Sequence, residues 1–497
     1  MNRRNFLKLS GSSLALLAMQ SCAKSNSVYD LGDSPRPNIL FCIADDWGWP
    51  HAQSYGDPVV NTDTFDQIAK QGVLFEHAYV SSPSCTPCRG ALLTGQYHWR
   101  LKENANLWST LDVNIPTYPL LLEKSGYHVG YWRKSWGPGN LQPGGYTDTH
   151  PAGTNYPKGF QQFLEAKPAS KPFCFWLGSS DPHRAYKKGS GKDSGMDISK
   201  VPLPAFYPDS DEIRSDIADY YWEVQRFNRD CGDAIKLLKE TGQLENTIVV
   251  MTGDHGMPFP RCKGNLYDMG VRVPMAIQWP AKVKPNRRVD DFMSFVDLAP
   301  TFLQAAGAKI PAQMVGRSLL PTLLSKKQGM VDPARANVIF GRERHTPAQK
   351  SPSIAGYPSR GIRTKKYLYI RNFAPNRWPA GVPEGATHPM NNFSDCDNGP
   401  TKKYLMDNNS DPKVKPYYDL CFAKRPAEEL YEIATDPDNI KNLAANPKFA
   451  GIKSKMSKML TDQLTQTADP RIIGGGEIFD QYPYRAGYKI NNAKAKP

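Results

Sequence analysis

A thiol, a proline and an arginine stand at fixed spacing in the stretch Ser84–Gly95, which reads SCTPCRGALLTG. Pro87 favours the first turn of a helix, and the small and apolar residues after it can continue that helix. Cys85 then lies at the helix N-terminus, where backbone N–H groups favour negative charge. Arg89 follows about one turn later and can point back at Cys85. This arrangement is typical of a nucleophile that handles anions, and an ordinary buried cysteine near a turn is the alternative.

Ionisable side chains also follow several apolar runs that have the character of buried strands. Asp45 and Asp46 come directly after the run at 37–44, which is apolar enough for a parallel strand covered on both faces. Comparable runs at 127–132, 172–177 and 247–251 end in Arg133-Lys134, Asp181-Pro182-His183-Arg184 and Asp254-His255. Ligands bind at the carboxyl ends of such strands. One crevice is therefore expected to gather these groups, and the two adjacent carboxylates predict a cation or a close ion pair, with a solvated turn as the alternative.

Alternating strand and helix patterns predict a doubly wound α/β fold with a mostly parallel sheet. Helices are predicted at 64–72, 118–126 and 212–242, each closed by a glycine. After about residue 340 the pattern changes to strands at 366–371 and 428–433 and a helical region from Asp436 to about residue 466. This part is predicted to form a smaller α+β domain.

At 497 residues the chain exceeds the usual size of a single core. The predicted divisions are an export signal at 1–22, a tether at 23–36, a main α/β domain at 37–345, the smaller domain at 346–475 and a polar tail at 476–497. No run of 18 or more apolar residues follows the N-terminus, so a membrane-spanning protein is not expected.

The first residues have the character of a targeting segment. Arg3-Arg4-Asn5-Phe6-Leu7-Lys8 is similar to the twin-arginine consensus, and an apolar core follows it at 14–18. Met19-Gln20-Ser21-Cys22 is similar to a lipoprotein cleavage site with Cys22 as the lipidated residue. We therefore expect export to the periplasm or to the outer membrane as a lipoprotein, with membrane contact limited to the lipid anchor.

The formal net charge is +14, of which Arg3, Arg4 and Lys8 of the leader contribute three, so about +11 belongs to the rest of the chain. Such a balance favours polyanionic partners such as sulfated or carboxylated polysaccharides. Nucleic acid is not expected, because no basic helix or recognised binding motif is found.

The nine cysteines do not form a disulfide pattern, since their number is odd and several lie in apolar runs. Cys396 and Cys421 flank a polar insertion and are candidates for a pair, although their spacing alone does not establish one. No CxxC…CxxC zinc pattern is present.

Taken together, these motifs resemble those of the formylglycine-dependent (type I) sulfatases. The core signature of that family is Cys-x-Pro-x-Arg followed by a small and apolar run and Thr-Gly, as in 85–95 of this chain. The resemblance is strongest to heparan N-sulfatase (sulfamidase)-like bacterial carbohydrate sulfatases and covers nearly all of residues 37–475 in motif order. Its further motifs are Asp181-Pro182-His183-Arg184, Pro258-Phe259-Pro260, Asn265-Leu266-Tyr267, Glu429-Leu430-Tyr431, Asp436-Pro437 and Asn442-Leu443-Ala444.

The resemblance implies an alkaline-phosphatase-like fold and a covalent mechanism. A separate formylglycine-generating enzyme would oxidise Cys85 to formylglycine (3-oxoalanine), whose hydrate attacks sulfur and later expels sulfate. By the same resemblance Arg89 holds the hydrate, and Lys134 and Lys263 bind sulfate oxygens. His183 is the implied acid that protonates the leaving group.

The resemblance also implies a metal site. Its ligands would be residue 85 together with Asp45, Asp46, Asp254 and His255. Oxygen-rich ligation suits Ca²⁺. The family often has asparagine where His255 stands, and an imidazole is a soft ligand among hard ones.

The sequence departs from the family pattern in one important place. Where the family commonly has Gly-Lys-x-His, this chain has Arg133-Lys134-Ser135-Trp136, so the histidine that assists the formylglycine hydroxyl is missing. Another base, a sugar-stacking role for Trp136 and impaired turnover are the open alternatives. Cys88 also replaces the more common serine of the signature.

Candidate substrate contacts are Trp136, Arg184, Arg342 and His345, because arginine binds carboxylates and sulfates and tryptophan stacks on sugars. Packing within loops is the alternative for each of them. A sulfated glycosaminoglycan or algal polysaccharide is the expected substrate. Two rival interpretations remain. One is a phosphomonoesterase or phosphonate hydrolase on the same scaffold, which would use serine or threonine and two metals. The other is a catalytically impaired protein that binds sulfated glycans.

Overall fold

The four apolar runs form the centre of a mixed eight-stranded sheet. The protein is represented by a computed structural model that describes residues 35–385 and 392–486. The strands of this sheet are β1 (Asn38–Ala44), β2 (Val73–Tyr79), β3 (His128–Arg133), β4 (Thr154–Asn155), β5 (Phe173–Gly178), β6 (Thr247–Gly253), β7 (Met275–Gln278) and β8 (Arg287–Ser294).

The strand order is β4-β3-β5-β1-β6-β7-β2-β8. Neighbouring strands are parallel, except that β7 runs antiparallel to both β6 and β2. The predicted mostly parallel sheet is therefore confirmed, while β7 and β8 were not predicted. Because β3, β5, β1 and β6 are adjacent and parallel, their carboxyl ends meet at one edge of the sheet.

The helices in the described ranges are α1 (Asp63–Gln71), α2 (Cys85–Thr94), α3 (Tyr118–Lys124), α4 (Phe160–Ala166), α5 (Ser190–Asp193), α6 (Asp211–Glu240), α7 (Asp268–Val271), α8 (Leu298–Ala305), α9 (Leu320–Leu324), α10 (Pro400–Asp407), α11 (Lys415–Phe422), α12 (Ala450–Gln466) and α13 (Pro470–Ile473). The three predicted helices correspond to α1, α3 and α6. None of the helices in these ranges combines the length and hydropathy that a membrane span requires.

Successive side chains of β1 pack on opposite faces of the sheet, as the period of a strand dictates. Leu40 belongs to the same buried cluster as Val224 and Phe227 of α6. Phe41 faces the other side, where its ring centroid lies 4.8 Å from that of Trp176 and 6.0 Å from that of Phe302 on α8. Helices thus cover both faces, and the doubly wound arrangement is confirmed.

A second, antiparallel sheet lies in the C-terminal region, with order β12-β11-β10-β9. Its strands are β9 (Asn337–Arg342), β10 (Ser359–Thr364), β11 (Tyr367–Asn372) and β12 (Glu428–Glu432). α12 covers one face and places Leu460 and Leu464 against Ile362 and Tyr369. The two predicted C-terminal strands are confirmed as β11 and β12.

The predicted start of the C-terminal helical region, at Asp436, is wrong. The Asp436 carboxylate accepts the backbone N–H groups of Ile440 and Lys441, which stabilises a turn in place of a helix. A 3-10 turn at Pro447–Phe449 leads into α12, so the helix begins at Ala450.

The position predicted for the domain boundary, after residue 345, does not separate the two hydrophobic cores. β9 lies before it but belongs to the second sheet. Phe393, Leu405 and Phe422 lie after it but share a buried cluster with α6 and β1. The described residues from Arg36 onward belong to one compact unit.

The cysteines that the structure describes are all free and buried, including Cys396 and Cys421. The suggested Cys396–Cys421 pair is therefore not formed. Cys22 and the rest of the export signal lie outside the described residues.

Replacement of Phe41 with alanine tests the packing between the sheet and α8. The side chain is fully buried, so Phe41→Ala is expected to lower the free energy of unfolding by about 3–5 kcal/mol. Val113→Ala, at a side chain that is 42% exposed, should stay within about 0.5 kcal/mol. Chemical denaturation of both variants checks this, and equal midpoints would contradict the packing described.

Candidate active site

Ionisable groups from four adjacent strands converge at the carboxyl edge of the large sheet. Asp45 and Asp46 follow β1, Asp254 and His255 follow β6, and Lys134 follows β3. His183 lies on the loop after β5, and α2 brings Cys85 to the same edge. The convergence of side chains predicted from the strand ends is therefore present.

The turn after β1 is fixed by the two strands that flank it. The Asp45 backbone N–H donates to the carbonyl of Asp181 (3.0 Å) after β5. The Asp46 N–H donates to Asp254 Oδ1 (2.8 Å) after β6. Asp46 has a φ of 75°, a left-handed conformation that aspartate tolerates better than most residues. These bonds hold two buried carboxylates side by side.

Cys85 is the first residue of α2 and is buried. Its Sγ lies 3.4 Å from Asp45 Oδ1 and 3.3 Å from His255 Nε2. Burial raises the pKa of the Cys85 thiol well above its usual value, and Asp45 raises it further. The first interpretation, a thiolate activated by an arginine and a helix start, is therefore corrected, because the unmodified side chain stays a neutral thiol.

Arg89 binds the ends of the strands and does not point at Cys85 as the helical spacing predicted. Its Nε donates to Asp254 Oδ2 (2.8 Å), and Nη1 donates to the carbonyls of Lys134 (2.9 Å) and Ser135 (3.1 Å). Nη2 lies 3.5 Å from Asp45 Oδ1. The guanidinium is fully buried, so it is a fixed positive charge between β1, β3 and β6.

Two lysines complete the charge balance. Lys134 Nζ donates to both oxygens of Asp45, at 2.5 and 2.6 Å. Lys263 Nζ donates to Asp46 Oδ2 at 2.8 Å. Burial alone would lower the pKa of each lysine, but the carboxylates beside them raise it. Both ammonium groups therefore stay charged beside Cys85.

The donor set fits a hard divalent cation. Two overlapping groups, Asp46–Cys85–His255 and Asp45–Cys85–Asp254, each offer ligand atoms within 4.8 Å of one another. Asp46 Oδ1 is buried and has no hydrogen-bond partner among the described residues. An unpaired buried carboxylate oxygen is costly unless a cation binds it. The described residues thus fit a divalent cation, with the carboxylate oxygens as its hard ligands.

His255 and His183 present different ring atoms to this cluster. The Nδ1 atom of His255 lies 3.1 Å from the carbonyl of Gly256, which assigns the proton to Nδ1 and leaves the Nε2 lone pair facing Asp46 and Cys85. The Nδ1 atom of His183 lies 2.6 Å from the carbonyl of Arg184. Its Nε2 is 3.9 Å from Asp46 Oδ2, and the side chain is 37% exposed. His183 therefore stands between the buried charges and solvent.

The structure gives internal partners to three predicted substrate contacts. Trp136 is 8% exposed and donates from Nε1 to Asn104 Oδ1 (2.8 Å). Arg184 forms a bidentate pair with Asp216, with both distances 2.8 Å. Both side chains are thus tied to internal partners, and their roles as substrate contacts stay predictions.

Arg342 and His345 are also buried and have internal partners. Arg342 donates from Nη2 to the buried Asp395 carboxylate (2.6 Å), so its charge is neutralised within the protein. His345 Nδ1 lies 2.8 Å from Ser84 Oγ, next to the start of α2. The roles of Arg342 and His345 as substrate contacts stay predictions.

Sequence reasoning missed Asp397, which lies 3.2 Å from Lys263 Nζ. This residue lies in a polar segment before α10, far along the chain from the strand ends. No motif or periodicity marks it, and only the folded chain brings it beside Lys263.

Arg89→Met tests whether the buried arginine neutralises the strand ends. The change leaves the Asp254 carboxylate buried without its cation, so the free energy of unfolding should fall by about 3–5 kcal/mol. Lys365→Met removes a cation from a pair in which the lysine is 71% exposed and should cost at most about 1 kcal/mol. Denaturation curves for both variants decide this, and equal losses would show that Asp254 does not depend on Arg89.

Comparison with protein families matches residues 37–308 to the sulfatase family and residues 253–380 to the C-terminal region of N-sulphoglucosamine sulphohydrolase. An ulvan-active sulfatase of Formosa agariphila is 29% identical over 447 residues, covering 86% of this chain and 79% of that protein. Human N-sulphoglucosamine sulphohydrolase is 27% identical over 497 residues, covering 89% of this chain and 93% of that protein.

A solved structure of a protein bound to its substrate D-glucosamine-2-N,6-O-disulfate has the same fold, with a TM-score of 0.60 and 18% identity. The match covers 88% of this chain and 99% of that one. The alkaline-phosphatase-like fold expected from the sequence is confirmed. The sulfatase match covers more than half of the chain and includes Cys85 and the strand ends that carry Asp45, Asp46 and Asp254. The chain therefore belongs to the sulfatase family and is a sulfuric ester hydrolase.

Proposed function

We propose that this sulfatase is exported and hydrolyses sulfate esters or N-sulfates of a sulfated polysaccharide or oligosaccharide, with formylglycine made from Cys85 and a bound Ca²⁺. One observation carries the proposal. The Cys85 side chain contacts Asp45 and His255 in a buried cluster that also holds two lysines and an arginine. Such a cluster suits a nucleophile that must attack an anionic ester.

The formylglycine hydrate would supply an oxygen nucleophile, and Ca²⁺, held by Asp45, Asp46, Asp254 and His255, would supply positive charge to it. The chain's own cations act on the sulfate. Lys134 binds Asp45 and Lys263 binds Asp46, and both carboxylates belong to the cluster around Cys85. Fixed cations at these positions bind sulfate oxygens and stabilise charge that develops in the transition state.

His183 is the candidate acid for the leaving group. Its Nε2 faces the site while Nδ1 is held by the carbonyl of Arg184. The side chain lies at the solvent side of Asp46, where the alcohol or amine must depart. When both ring nitrogens carry protons, an imidazole so oriented can deliver the Nε2 proton to the leaving oxygen or nitrogen as its bond to sulfur breaks.

His255 is the imidazole within reach of residue 85, at 3.3 Å. Trp136 stands where the family commonly has a histidine, and it is held by Asn104. His255 therefore has the position either to bind the cation or to accept a proton from residue 85. The missing family histidine does not leave residue 85 without a nearby base.

The carbohydrate substrate class is supported by the relatives, which act on ulvan and on N-sulphoglucosamine. The net charge of +14 favours a polyanion. Export rests on the twin-arginine-like segment and the lipoprotein-like site at Cys22. Cys85 is 2% exposed, so a formylglycine-generating enzyme must reach it before folding is complete, which is compatible with export of a folded protein.

Co-expression with a formylglycine-generating enzyme tests this proposal. Peptide mass analysis should show conversion of the Cys85 thiol to the aldehyde, and the protein should release sulfate from at least one of heparan, chondroitin, carrageenan and ulvan oligosaccharides. Cys85→Ala should lose all turnover because no nucleophile can form. Cys421→Ala removes a buried thiol from α11 and should retain turnover.

Each contrary result has a distinct meaning. Conversion of Cys85 without sulfate release from any glycan would favour the rival in which the protein only binds glycans. Preferred hydrolysis of phosphate or phosphonate esters would favour the phosphohydrolase rival. Wild-type rates in Cys85→Ala would contradict the assignment of the nucleophile.

A further inference from the structure

Asp397 is the outermost member of a chain of charges that leads out of the active site. Asp46 binds Lys263 at 2.8 Å, and Lys263 lies 3.2 Å from Asp397 Oδ2. The exposed fraction of these side chains rises from 0% through 5% to 25%. Asp397 therefore lies where the buried site meets solvent.

The segment that carries Asp397 is held from both ends. On one side, the buried Asp395 binds Arg342 and accepts the N–H of Thr346. On the other, Lys402 Nζ donates to the carbonyls of Phe393 (3.0 Å) and Cys396 (2.8 Å). An ammonium group that binds two backbone carbonyls restrains the loop between them.

A second anchor joins this segment to α6. Asp216 of α6 accepts both bonds of Arg184 and also the backbone N–H (3.0 Å) and hydroxyl (2.7 Å) of Thr401. Arg184 and Arg342, which were predicted to bind substrate, thus fix the loop that presents Asp397. The carboxylate is a positioned group on a restrained loop.

Asp397 pairs with Lys263 through one of its two carboxylate oxygens, and its surroundings favour the charged form. Burial alone would raise the pKa of its carboxyl, but Lys263, His183 and His345 hold that pKa well below its usual range. Oδ2 accepts from Lys263. For Oδ1 no hydrogen-bond donor is found in the part of the chain that the structure describes. A counter-ion for Lys263 needs only one oxygen, and the side chain is 25% exposed, so the second oxygen can meet a ligand.

We propose that Asp397 is a specificity-determining residue that accepts a hydrogen bond from a hydroxyl group next to the sulfated position of the sugar and excludes a second anion at that place. The proposal rests on the proposed function. Lys263 would bind the sulfate, and Asp397 lies one hydrogen-bond length beyond its ammonium group. The substituent that Asp397 meets is therefore a near neighbour of the sulfate on the same sugar.

The sign of the charge sets the selectivity. A carboxylate accepts hydrogen bonds and donates none when it is ionised, so a hydroxyl is a matched partner. A neighbouring sulfate or carboxylate would place like charges together in a partly desolvated site, which discriminates strongly against such a ligand. The preferred substrate class is a sugar with one sulfate and a free vicinal hydroxyl.

The test compares the fully matured wild-type enzyme with Asp397→Asn, which keeps the shape and removes the charge. Glucosamine 2-N-sulfate and glucosamine 3-O-sulfate serve as probes, since each has a free hydroxyl on a neighbouring carbon. Each is compared with its counterpart that carries a second sulfate on that hydroxyl, the 2-N,3-O-disulfate and the 3,4-O-disulfate. Asp397→Asn should lower kcat/KM for the monosulfated probe about tenfold or more and shift the preference toward the disulfated probe. The inhibition constant of inorganic sulfate, used as a competitive inhibitor, measures the contribution of Lys263 separately.

Asp407→Asn is the matched control, because Asp407 lies in the same region but forms an exposed pair with Lys403. It should leave both kcat/KM and the preference unchanged. Asp397→Asn could weaken inhibition by inorganic sulfate and lower kcat/KM for both probes by the same factor. In that case Asp397 only positions Lys263, and the inference is overturned. An unchanged preference also overturns it. Failure of the wild-type enzyme to release sulfate from every probe would instead count against the proposed function as well.

Discussion

The structure depends on three buried carboxylates, Asp45, Asp46 and Asp254, that two adjacent strand ends force together. The parallel pairing of β1 and β6 and the bond from the Asp46 N–H to Asp254 leave them no route to solvent. Buried like charges are tolerated only when cations neutralise them. The surrounding loops and α2 are arranged to supply those cations.

Each cation comes from a different element, and each therefore ties a loop to the site. Arg89 joins α2 to β6 and to the carbonyls after β3. Lys134 brings the loop after β3 to Asp45, and Lys263 brings the segment after β6 to Asp46 and Asp397. Charge balance, and not apolar packing, thus positions the groups around Cys85, and the apolar sheet provides the rigid edge on which they rest.

Much of this arrangement is predictable from the sequence, because its signals are local. The apolar runs predict β1, β3, β5 and β6, and parallel strands place their carboxyl-end residues on one edge. Interactions between residues that are far apart in the chain could not be predicted in this way. The ion pairs of Arg184 with Asp216 and of Arg342 with Asp395 could not be predicted, because each carboxylate lies far from its arginine in the chain. Asp397 could not be predicted as a site residue either, because its partner Lys263 is far away in the chain.

Calcium titration of metal-free protein tests the central claim most directly, because the carboxylate cluster should bind one cation. Isothermal titration calorimetry on the full chain should show one site, and saturation should raise the unfolding temperature, since binding to the folded state alone stabilises it. Asp46→Asn should weaken binding by at least about tenfold. An absence of binding by the wild-type protein, or equal binding by Asp46→Asn, would contradict the account.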